Sequence, residues 1–235
     1  MKRFFKAVTV GPEDTGWQVF LDGRGIKTAC GKPQVVPSRA LAEAMAAEWA
    51  GQGEEIDASA FRCRDLADYA IDIAGPDRAT VIAAVLRFAE TDTLCYRAEP
   101  GSALYPRQLD VWEPLLTAAE QRWDVHFERV NGVIHRPQPA TTLARMARVL
   151  EVQDSFTLAA LHTLASLAAS LVGALAAIVP GADADMLWNA ANLEEDWQAE
   201  LWGKDAEAEE LRARRLAEFV GAMHFAQLAR QAEPQ

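Results

Sequence analysis

The chain has 235 residues, of which 50% are hydrophobic and 24% charged, and its formal net charge is -11. Such a composition indicates a globular protein with enough residues for one large domain or two modest ones. Nucleic-acid binding is disfavoured because it needs clustered Lys and Arg, and a basic protein partner suits the acidic charge better. Cys30, Cys63 and Cys95 form no C-x-x-C pair, which predicts reduced thiols in a cytosol-like compartment.

The first part of the chain is predicted to be rich in β-strands. Residues 4–36 alternate in the manner of short strands, and Asp22-Gly23 between two such runs predicts a hairpin. Ser38 is a predicted N-cap for a helix that ends near Gly51, and residues 65–73 predict a short helix. We expect residues 1–75 to form a small β-rich lobe with one or two helices.

The segment around Gly23-Arg24-Gly25 has some features of a phosphate-binding loop. It lacks the third glycine of a dinucleotide fingerprint, and Gly31-Lys32 is followed by Pro33 rather than by Ser or Thr. Nucleotide binding is therefore rejected for this segment.

Residues 76–235 are dominated by long helical patterns, which predict a helical lobe and an α+β fold for the chain. A polar cluster with the sequence ETDTL interrupts the first of these helices and contains Glu90 and Asp92. These carboxylates are either an acid/base pair or a hydrogen-bonded cluster that fixes how helices cross. The second interpretation is favoured because no nucleophile or ligand-spaced His accompanies them, and the four histidines show no metal-site spacing.

Three further elements are predicted in the helical lobe. Residues 104–123 form a helix, and residues 125–134 form a small hairpin or loop with Asn131-Gly132 as its turn. Residues 158–179 are apolar enough to cross a bilayer, but their flanks are acidic and lack aromatic or basic anchors. We therefore expect a buried central helix, with Asp154 as its N-cap, and no membrane insertion.

The region from residue 187 to residue 215 has an unusual distribution of apolar side chains. On one continuous helix, Leu193, Trp197 and Leu201 lie on one side. Trp188, Glu195 and Trp202 lie on the other side. Because both sides are apolar, the helix is either buried within a bundle or offers one side to another protein. Glu195 would need a hydrogen-bond donor if water were excluded from that side.

A stop and a new helix start are predicted immediately after this region. Gly203 predicts a left-handed helix stop, and Asp205 predicts an N-cap. Glu207 belongs to the acidic first turn of the next helix, where carboxylates are favourable. An aromatic and acidic helix is therefore expected to meet an acidic helix start.

Several segments, taken in order, resemble the family of ATP synthase assembly chaperones that handle the alpha subunit of the catalytic F-one sector (the ATP-twelve family). They are RFFKAVTV, WQVFLDGRGIKT, VPSRALAEAMAAEW with the following Gln52, DYAID, ETDTLCYRA, the W-x-P at Trp112, and LEEDWQAELWG followed by LRAR. Nearly the whole chain is covered by this resemblance. The most specific parts are LDGR-x-x-KT, ETDTL and E-E-x-x-Q-x-x-x-W-G.

This resemblance implies a β-rich lobe on a larger helical lobe, no catalysis and no cofactor. It implies a partner, the unassembled alpha subunit, whose surface for the beta subunit is shielded until the two pair. It places importance on Glu194 and Glu195, and also on Glu207. Together with Trp188 and Trp202, which would supply apolar contact, these residues form the expected partner-binding set.

The expected compartment follows from the N-terminus, in which no targeting segment is recognised. We expect a protein that is monomeric when free and located in the bacterial cytoplasm, or in the mitochondrial matrix if the source is a eukaryote. Two alternatives remain open at this point. One is a small hydrolase or isomerase that uses Glu90 and Asp92, which requires a pocket and a perturbed carboxylate pKa. The other is a permanent subunit of a larger complex, which predicts stoichiometric co-purification.

Overall fold

The computed structural model describes residues 1–132, 134–203 and 205–231, and the chain divides into two compact units. The first unit contains Met1–Arg78, Asp154–Ala160 and the described residues from Gly221 onward. The second contains Ala79–Gln153 and Leu161–Val220. The first limit lies close to the boundary expected near residue 75. The expected lobes were consecutive in sequence, whereas the first unit also contains two later segments. These segments, Asp154–Ala160 and the described residues from Gly221 onward, belong to the part of the sequence that was predicted to form the helical lobe.

The first unit contains a four-stranded antiparallel sheet in which the second strand pairs with the other three. Its strands are β1 (Val8–Glu13), β2 (Gly16–Leu21), β3 (Arg24–Gly25) and β4 (Val35–Val36). The hairpin predicted at Asp22-Gly23 is confirmed. Both turn residues have positive φ angles, 49° and 80°, which is the backbone that a two-residue type I′ turn requires.

The first unit also contains helices, and the predicted N-cap of the first is confirmed. The helices at this end of the chain are α1 (Arg39–Ala50) and α2 (Arg62–Tyr69), the latter extended by a π-helical turn (Ala70–Ala74). Ser38 Oγ accepts a hydrogen bond from Leu41 N at 3.1 Å and donates one to Leu228 O at 2.6 Å. The cap therefore links α1 to the last helix of the chain within this unit.

The second unit is almost entirely helical. Its elements, some of which extend into the first unit, are α3 (Arg78–Glu90), β5 (Tyr96–Arg97), α4 (Leu104–Trp123), β6 (Val130–Asn131), α5 (Ala140–Glu151), α6 (Ser155–Ala168), α7 (Leu171–Ala177), α8 (Ala184–Ala191), α9 (Leu193–Trp202) and α10 (Ala206–Ala229). With the sheet of the first unit, this arrangement confirms the predicted α+β class. The helix predicted over residues 104–123 is also confirmed.

The polar cluster does not interrupt a helix, as the sequence pattern had indicated, but follows the end of α3. Asp92 caps a 3-10 turn (Thr93–Cys95) by accepting a hydrogen bond from Leu94 N at 3.1 Å. Its other carboxylate oxygen accepts from Val172 N at 2.9 Å, at the start of α7. Asp92 therefore joins two chain segments that are distant in sequence.

The prediction of one continuous helix over residues 158–179 is wrong. The chain breaks at Ala169, which has a φ of 47°, and Ser170 caps the separate helix α7 by accepting from Gly173 N at 2.9 Å. Thr93 donates two hydrogen bonds to the carbonyl of Ala169, from N and from Oγ1, at 3.1 and 2.9 Å. The break is stabilised both by the local cap at Ser170 and by a distant segment. Among the described residues, no helix is long and apolar enough to cross a membrane.

Of the two alternatives left open for residues 125–134, a small hairpin or a loop, the described residues form a loop that contains the short strand β6, and the hairpin is wrong. β6 pairs in parallel with β5, and Tyr96 is opposite Val130. Gly132 does have a positive φ, 79°, but its N–H donates to Arg97 O at 2.8 Å. The turn signal at Asn131-Gly132 therefore marks the end of a short parallel pair. Residue 133 lies outside the described residues.

Candidate partner-binding site

The region predicted as one helix from residue 187 onward consists of two helices, α8 and α9. Asn192 separates them, and its side-chain Nδ2 donates to Trp188 O at 2.8 Å, which caps the end of α8. The carbonyl of Ala190, also on α8, accepts a hydrogen bond from Trp112 Nε1 of α4 at 2.7 Å. α8 is thereby fixed to the buried part of the second unit.

The expectation that Trp188 offers apolar surface to a partner is wrong. Only 1% of its surface is exposed, and its ring packs 5.6 Å from Phe219 with the guanidinium of Arg215 5.8 Å above it. The break at Asn192 ends the register on which the common face of Trp188 and Trp202 depended. Trp188 therefore belongs to the core of the second unit.

Trp202, by contrast, is exposed, as the docking interpretation required. It is the last residue of α9, and 78% of its surface is accessible, with Leu201 beside it at 56%. Gly203 follows with φ 93° and ψ 167°. This backbone ends the helix but lies outside the left-handed helical region that the sequence predicted.

Polar contacts hold α9 in place, since none of its residues is fully buried. Asp196 receives two hydrogen bonds from Arg212 of α10, one of them between Nη2 and Oδ2 at 2.9 Å. Arg107 of α4 donates to Glu200 Oε2 at 2.7 Å and lies 4.4 Å from the centre of the Trp197 ring. The face of α9 predicted to carry Leu193, Trp197 and Leu201 is thus only partly covered.

Glu194 lies on the side of α9 that faces α4. Its Oε1 accepts a hydrogen bond from Gln108 Nε2 at 2.7 Å, and Gln108 is fully buried. Partial desolvation raises the pKa of Glu194, and the hydrogen bond from Gln108 opposes that shift. This carboxylate orients α9 on α4, although part of its side chain stays open to solvent.

Glu195 lies in a cleft, of about 420 Å³, formed by α9 and the start of α10. We name this the corner cleft; its lining includes Glu195, Trp202, Asp205, Leu211 and Arg215. Glu195 is exposed and has no hydrogen-bond or ion-pair partner among the described residues. A cleft that contains a free carboxylate and an exposed indole ring can receive a cationic side chain at the carboxylate and apolar surface of the same partner at the ring.

The start of α10 completes this corner as predicted. Asp205 Oδ1 accepts a hydrogen bond from Glu207 N at 2.9 Å, which is the geometry of an N-cap in the cleft wall. Glu207 is exposed in the first turn but does not line the cleft. Of the expected binding set, the structure therefore brings together Glu195 and Trp202, whereas Glu194, Glu207 and Trp188 lie outside the cleft.

Three residues that shape this site were not predicted from the sequence. They are Gln108, Arg107 and Arg212, which contact α9 from α4 and α10. Arg212 lies in the LRAR segment that follows the aromatic helix, so its sequence position was noticed without a role. Gln108 and Arg107 are separated from α9 by more than eighty residues, and no local pattern connects them.

The acid/base interpretation of Glu90 and Asp92 is contradicted by the surroundings of Asp92. This residue is completely buried, and backbone N–H groups of Leu94 and Val172 bind its two oxygens. Burial raises the pKa of Asp92 to about 6, against the effect of these hydrogen bonds. A carboxylate enclosed in this way joins helix ends and has no access to a substrate.

Comparisons with known proteins agree with the chaperone interpretation. A family model described as ATP12 chaperone protein matches residues 2–120. The crystal structure of Atp12 from Paracoccus denitrificans is 36% identical, with a TM-score of 0.91, and the match covers 97% of this chain and 98% of that chain. The crystal structure of the Atu1473 protein of Agrobacterium tumefaciens is 39% identical, with a TM-score of 0.92. That match covers 97% of this chain and 85% of the Atu1473 chain.

A curated relative extends the comparison to a eukaryote. The mitochondrial protein atp12 of Schizosaccharomyces pombe is 25% identical over 226 residues, which cover 89% of this chain and 76% of the relative. The family match at the start of the chain and the structural matches along nearly all of it are consistent with one another. This chain belongs to the ATP12 chaperone family, a family of assembly chaperones and not of enzymes.

Proposed function

We propose that this protein is an assembly chaperone of the F-type ATP synthase that binds the unassembled alpha subunit of the catalytic sector. It would shield the surface that the beta subunit later occupies. Family membership supports a role in assembly, and the alpha subunit is the client that the sequence resemblance implies. The observation that carries the proposal is that Glu195, whose carboxylate has no hydrogen-bond or ion-pair partner among the described residues, lines the same cleft as the exposed Trp202.

The chemistry of the corner cleft suits one class of contact. Glu195 would form an ion pair with an Arg or Lys of the client, and Trp202 would pack against apolar or cationic side chains of the same client surface. Leu201 and Leu211, both more than half exposed, extend the apolar surface around this point. A buried ion pair at the centre of an apolar contact favours the cognate surface and penalises others.

The chain provides a matched control for testing this contact. Glu195→Lys reverses one charge in the cleft, and Glu90→Lys makes the same change at an exposed residue at the end of α3. We expect purified alpha subunit to bind wild type and Glu90→Lys equally. Binding to Glu195→Lys should be at least about tenfold weaker, since a repulsive pair replaces an attractive one. Far-ultraviolet circular dichroism should be the same for all three proteins.

Equal binding of both variants would remove the corner cleft from the proposal. Loss of folded structure in Glu195→Lys would show that this exposed residue is structural. A neutral Glu195→Gln variant, of nearly the same shape, then separates the two effects because it loses the ion pair without adding a charge.

The shielding role has its own test. Addition of beta subunit to a complex of this protein with alpha subunit should release the chaperone, because both are proposed to occupy one surface. A ternary complex that persists would contradict shielding. Stoichiometric co-purification with the assembled synthase would instead support the alternative of a permanent subunit.

The proposed location follows from the client. The S. pombe relative is named as mitochondrial, and we propose that this chain acts in the bacterial cytoplasm, or in the mitochondrial matrix of a eukaryotic source. Fractionation of the source cells, with the alpha subunit followed in parallel, would test this placement.

A further inference from the structure

The LDGR-x-x-KT segment of the first unit contains two exposed cationic residues, Arg24 and Lys27. Asp22 accepts hydrogen bonds from the backbone N–H groups of Lys6 and Ala7, the shorter at 2.8 Å. Thr28 Oγ1 donates to Asp72 Oδ1 at 2.9 Å. The exposed side chains of Arg24 and Lys27 have no hydrogen-bond or ion-pair partner among the described residues.

Arg24 and Lys27 both line a cleft in the first unit, of about 520 Å³. We name it the hairpin cleft; its apolar lining consists of Phe4, Phe5, Leu21, Ile26 and Trp49. Asp22 is the acidic residue of this lining, and its carboxylate already accepts backbone hydrogen bonds. The cleft therefore combines an apolar floor with a net cationic rim, in a chain whose formal net charge is -11.

Phe4 gives this cleft an exposed aromatic side. Its surface is 62% accessible, and its ring stands edge-on to Phe5 at 5.4 Å. The ring centroids of Phe5 and Trp49 are 5.5 Å apart. The indole N–H of Trp49 is buried with no acceptor among the described residues. An aromatic row thus extends from the core of the unit to an uncovered ring, and contiguous apolar surface of this kind marks binding sites.

The backbone at the cleft also has hydrogen-bonding groups to offer. Ile26 N donates to Val19 O at 3.0 Å, and Gly25 is the next residue of the hairpin, opposite Phe20. Hydrogen-bonded and non-hydrogen-bonded pairs alternate along antiparallel strands, so the N–H and C=O of Gly25 point away from β2. In the described sheet, β3 follows β2 in the strand order and no further strand pairs with β3. The N–H and C=O of Gly25 therefore lie at an open edge.

We infer that the hairpin cleft is a second binding site, which takes an extended peptide segment carrying a bulky apolar side chain next to carboxylates. The apolar side chain packs against Phe4 and the cleft floor, and the carboxylates pair with Arg24 and Lys27. The peptide backbone pairs with the open edge at Gly25, as in strand addition. The open backbone edge at Gly25 favours a peptide over a membrane or a nucleic acid, because strand pairing needs a partner with backbone N–H and C=O groups.

The test uses the full-length protein and a short fluorescein-labelled peptide in which glutamate alternates with valine and phenylalanine. A second peptide has lysine in place of glutamate, and a third has the glutamate sequence with alternate backbone amides N-methylated. Fluorescence anisotropy then reports binding to each. The double variant Arg24→Glu with Lys27→Glu, called the rim variant, reverses the charge of the cleft rim. The variant Phe4→Ser removes the exposed aromatic ring.

The matched control variant is Arg87→Glu with Arg122→Glu, which makes the same charge change on exposed arginines of the second unit. We expect the glutamate peptide to bind wild type and this control alike, and to bind the rim variant at least about tenfold more weakly. Phe4→Ser should also weaken binding, and the lysine peptide should not bind. The N-methylated peptide should bind more weakly than its parent, since it cannot complete the backbone pairing.

Three results would overturn the inference. One is the absence of an anisotropy change with the glutamate peptide at about 1 mM, the weak end of specific recognition. Another is equal binding of the glutamate and lysine peptides, or of the rim and control variants. The third is undiminished binding of the N-methylated peptide. None of these measurements involves the alpha subunit or Glu195, so the result is independent of the proposed function.

Discussion

Asp196 of α9 and Arg212 of α10 form a two-point ion pair, and Arg212 also donates to Asn189 Oδ1 of α8 at 3.3 Å. The guanidinium of Arg212 thus links its own helix, α10, to α8 and α9. Both side chains of the pair are partly exposed, at 25% for Arg212 and 36% for Asp196. The helix that carries the corner cleft is therefore attached by contacts that water can reach.

We expect α9 to open more readily than its neighbours when this pair is removed. Asp196→Ala should lower the free energy of unfolding by only about 1 kcal/mol or less, because the pair is partly solvated. Amide hydrogen exchange over Leu193–Trp202 should nevertheless become faster, since few buried apolar contacts hold this helix. Hydrogen exchange followed by mass spectrometry measures α9 and its neighbouring helices in one experiment. Unchanged exchange in α9 would refute the role of the ion pair.

The two tryptophans of the predicted binding set should behave in opposite ways. Trp202→Ala should change the free energy of unfolding by no more than about 0.5 kcal/mol, because its ring is exposed. It should weaken binding of the alpha subunit under the proposed function. Trp188→Ala should instead cost about 3–5 kcal/mol of stability, as expected for a large buried ring. Chemical denaturation and a binding assay on both variants would reveal any reversal of this order.

Asp92 should make the protein less stable as the pH rises. Its pKa is raised from 3.8 to about 6 in the folded protein, so the folded state holds the proton more tightly than the unfolded state does. The resulting stabilisation is complete below about pH 4 and is lost as the pH passes through about 6. The lowered pKa values of Glu113 and Glu120 act in the opposite direction at lower pH.

A comparison with Asp92→Asn isolates this contribution. The variant cannot ionise at residue 92, so its free energy of unfolding relative to wild type should increase between about pH 4 and 6. Urea denaturation at several pH values gives this difference directly, because the other carboxylates are common to both proteins. A difference that stays constant with pH would mean that Asp92 keeps an ordinary pKa in the fold.

The three thiols should differ sharply in reactivity. Cys63 and Cys95 are buried, and burial raises the pKa of the Cys63 thiol to about 12 and also raises that of Cys95. Cys30 is exposed, but its hydrogen bond to Asp72 raises its pKa as well. An aromatic disulfide reagent at neutral pH should therefore modify Cys30 alone, and slowly.

Asp72→Asn should accelerate that reaction, because the negative charge beside the thiol is removed. Denaturation should expose all three cysteines to the reagent. Rapid modification of Cys63 or Cys95 in the native protein would contradict their burial.

Local patterns were sufficient for many elements of this fold. The turn at Asp22-Gly23 requires positive φ angles that its residues tolerate, and Ser38 and Asp154 are helix caps whose hydrogen bonds span three residues. Each of these features depends on atoms that lie close together in the sequence.

The same patterns were misleading where a distant segment completes the geometry. The break between α6 and α7 is stabilised by Thr93, and the burial of Trp188 follows from packing against Phe219. Neither interaction can be recognised from neighbouring residues in the sequence. Hydrophobic periodicity alone therefore predicted one continuous helix in each of the two regions.

Propensity, capping and turn chemistry act over a few residues, so the α+β class, the hairpin, most helix starts and the family likeness could be predicted from the amino-acid sequence. Which carboxylate is free depends instead on contacts between distant segments. Glu194 and Glu195 are neighbours in sequence, yet one meets the buried Gln108 and the other lines an open cleft. That difference arises from the orientation of α9 against α4 and α10, which is set by contacts between residues far apart in the chain.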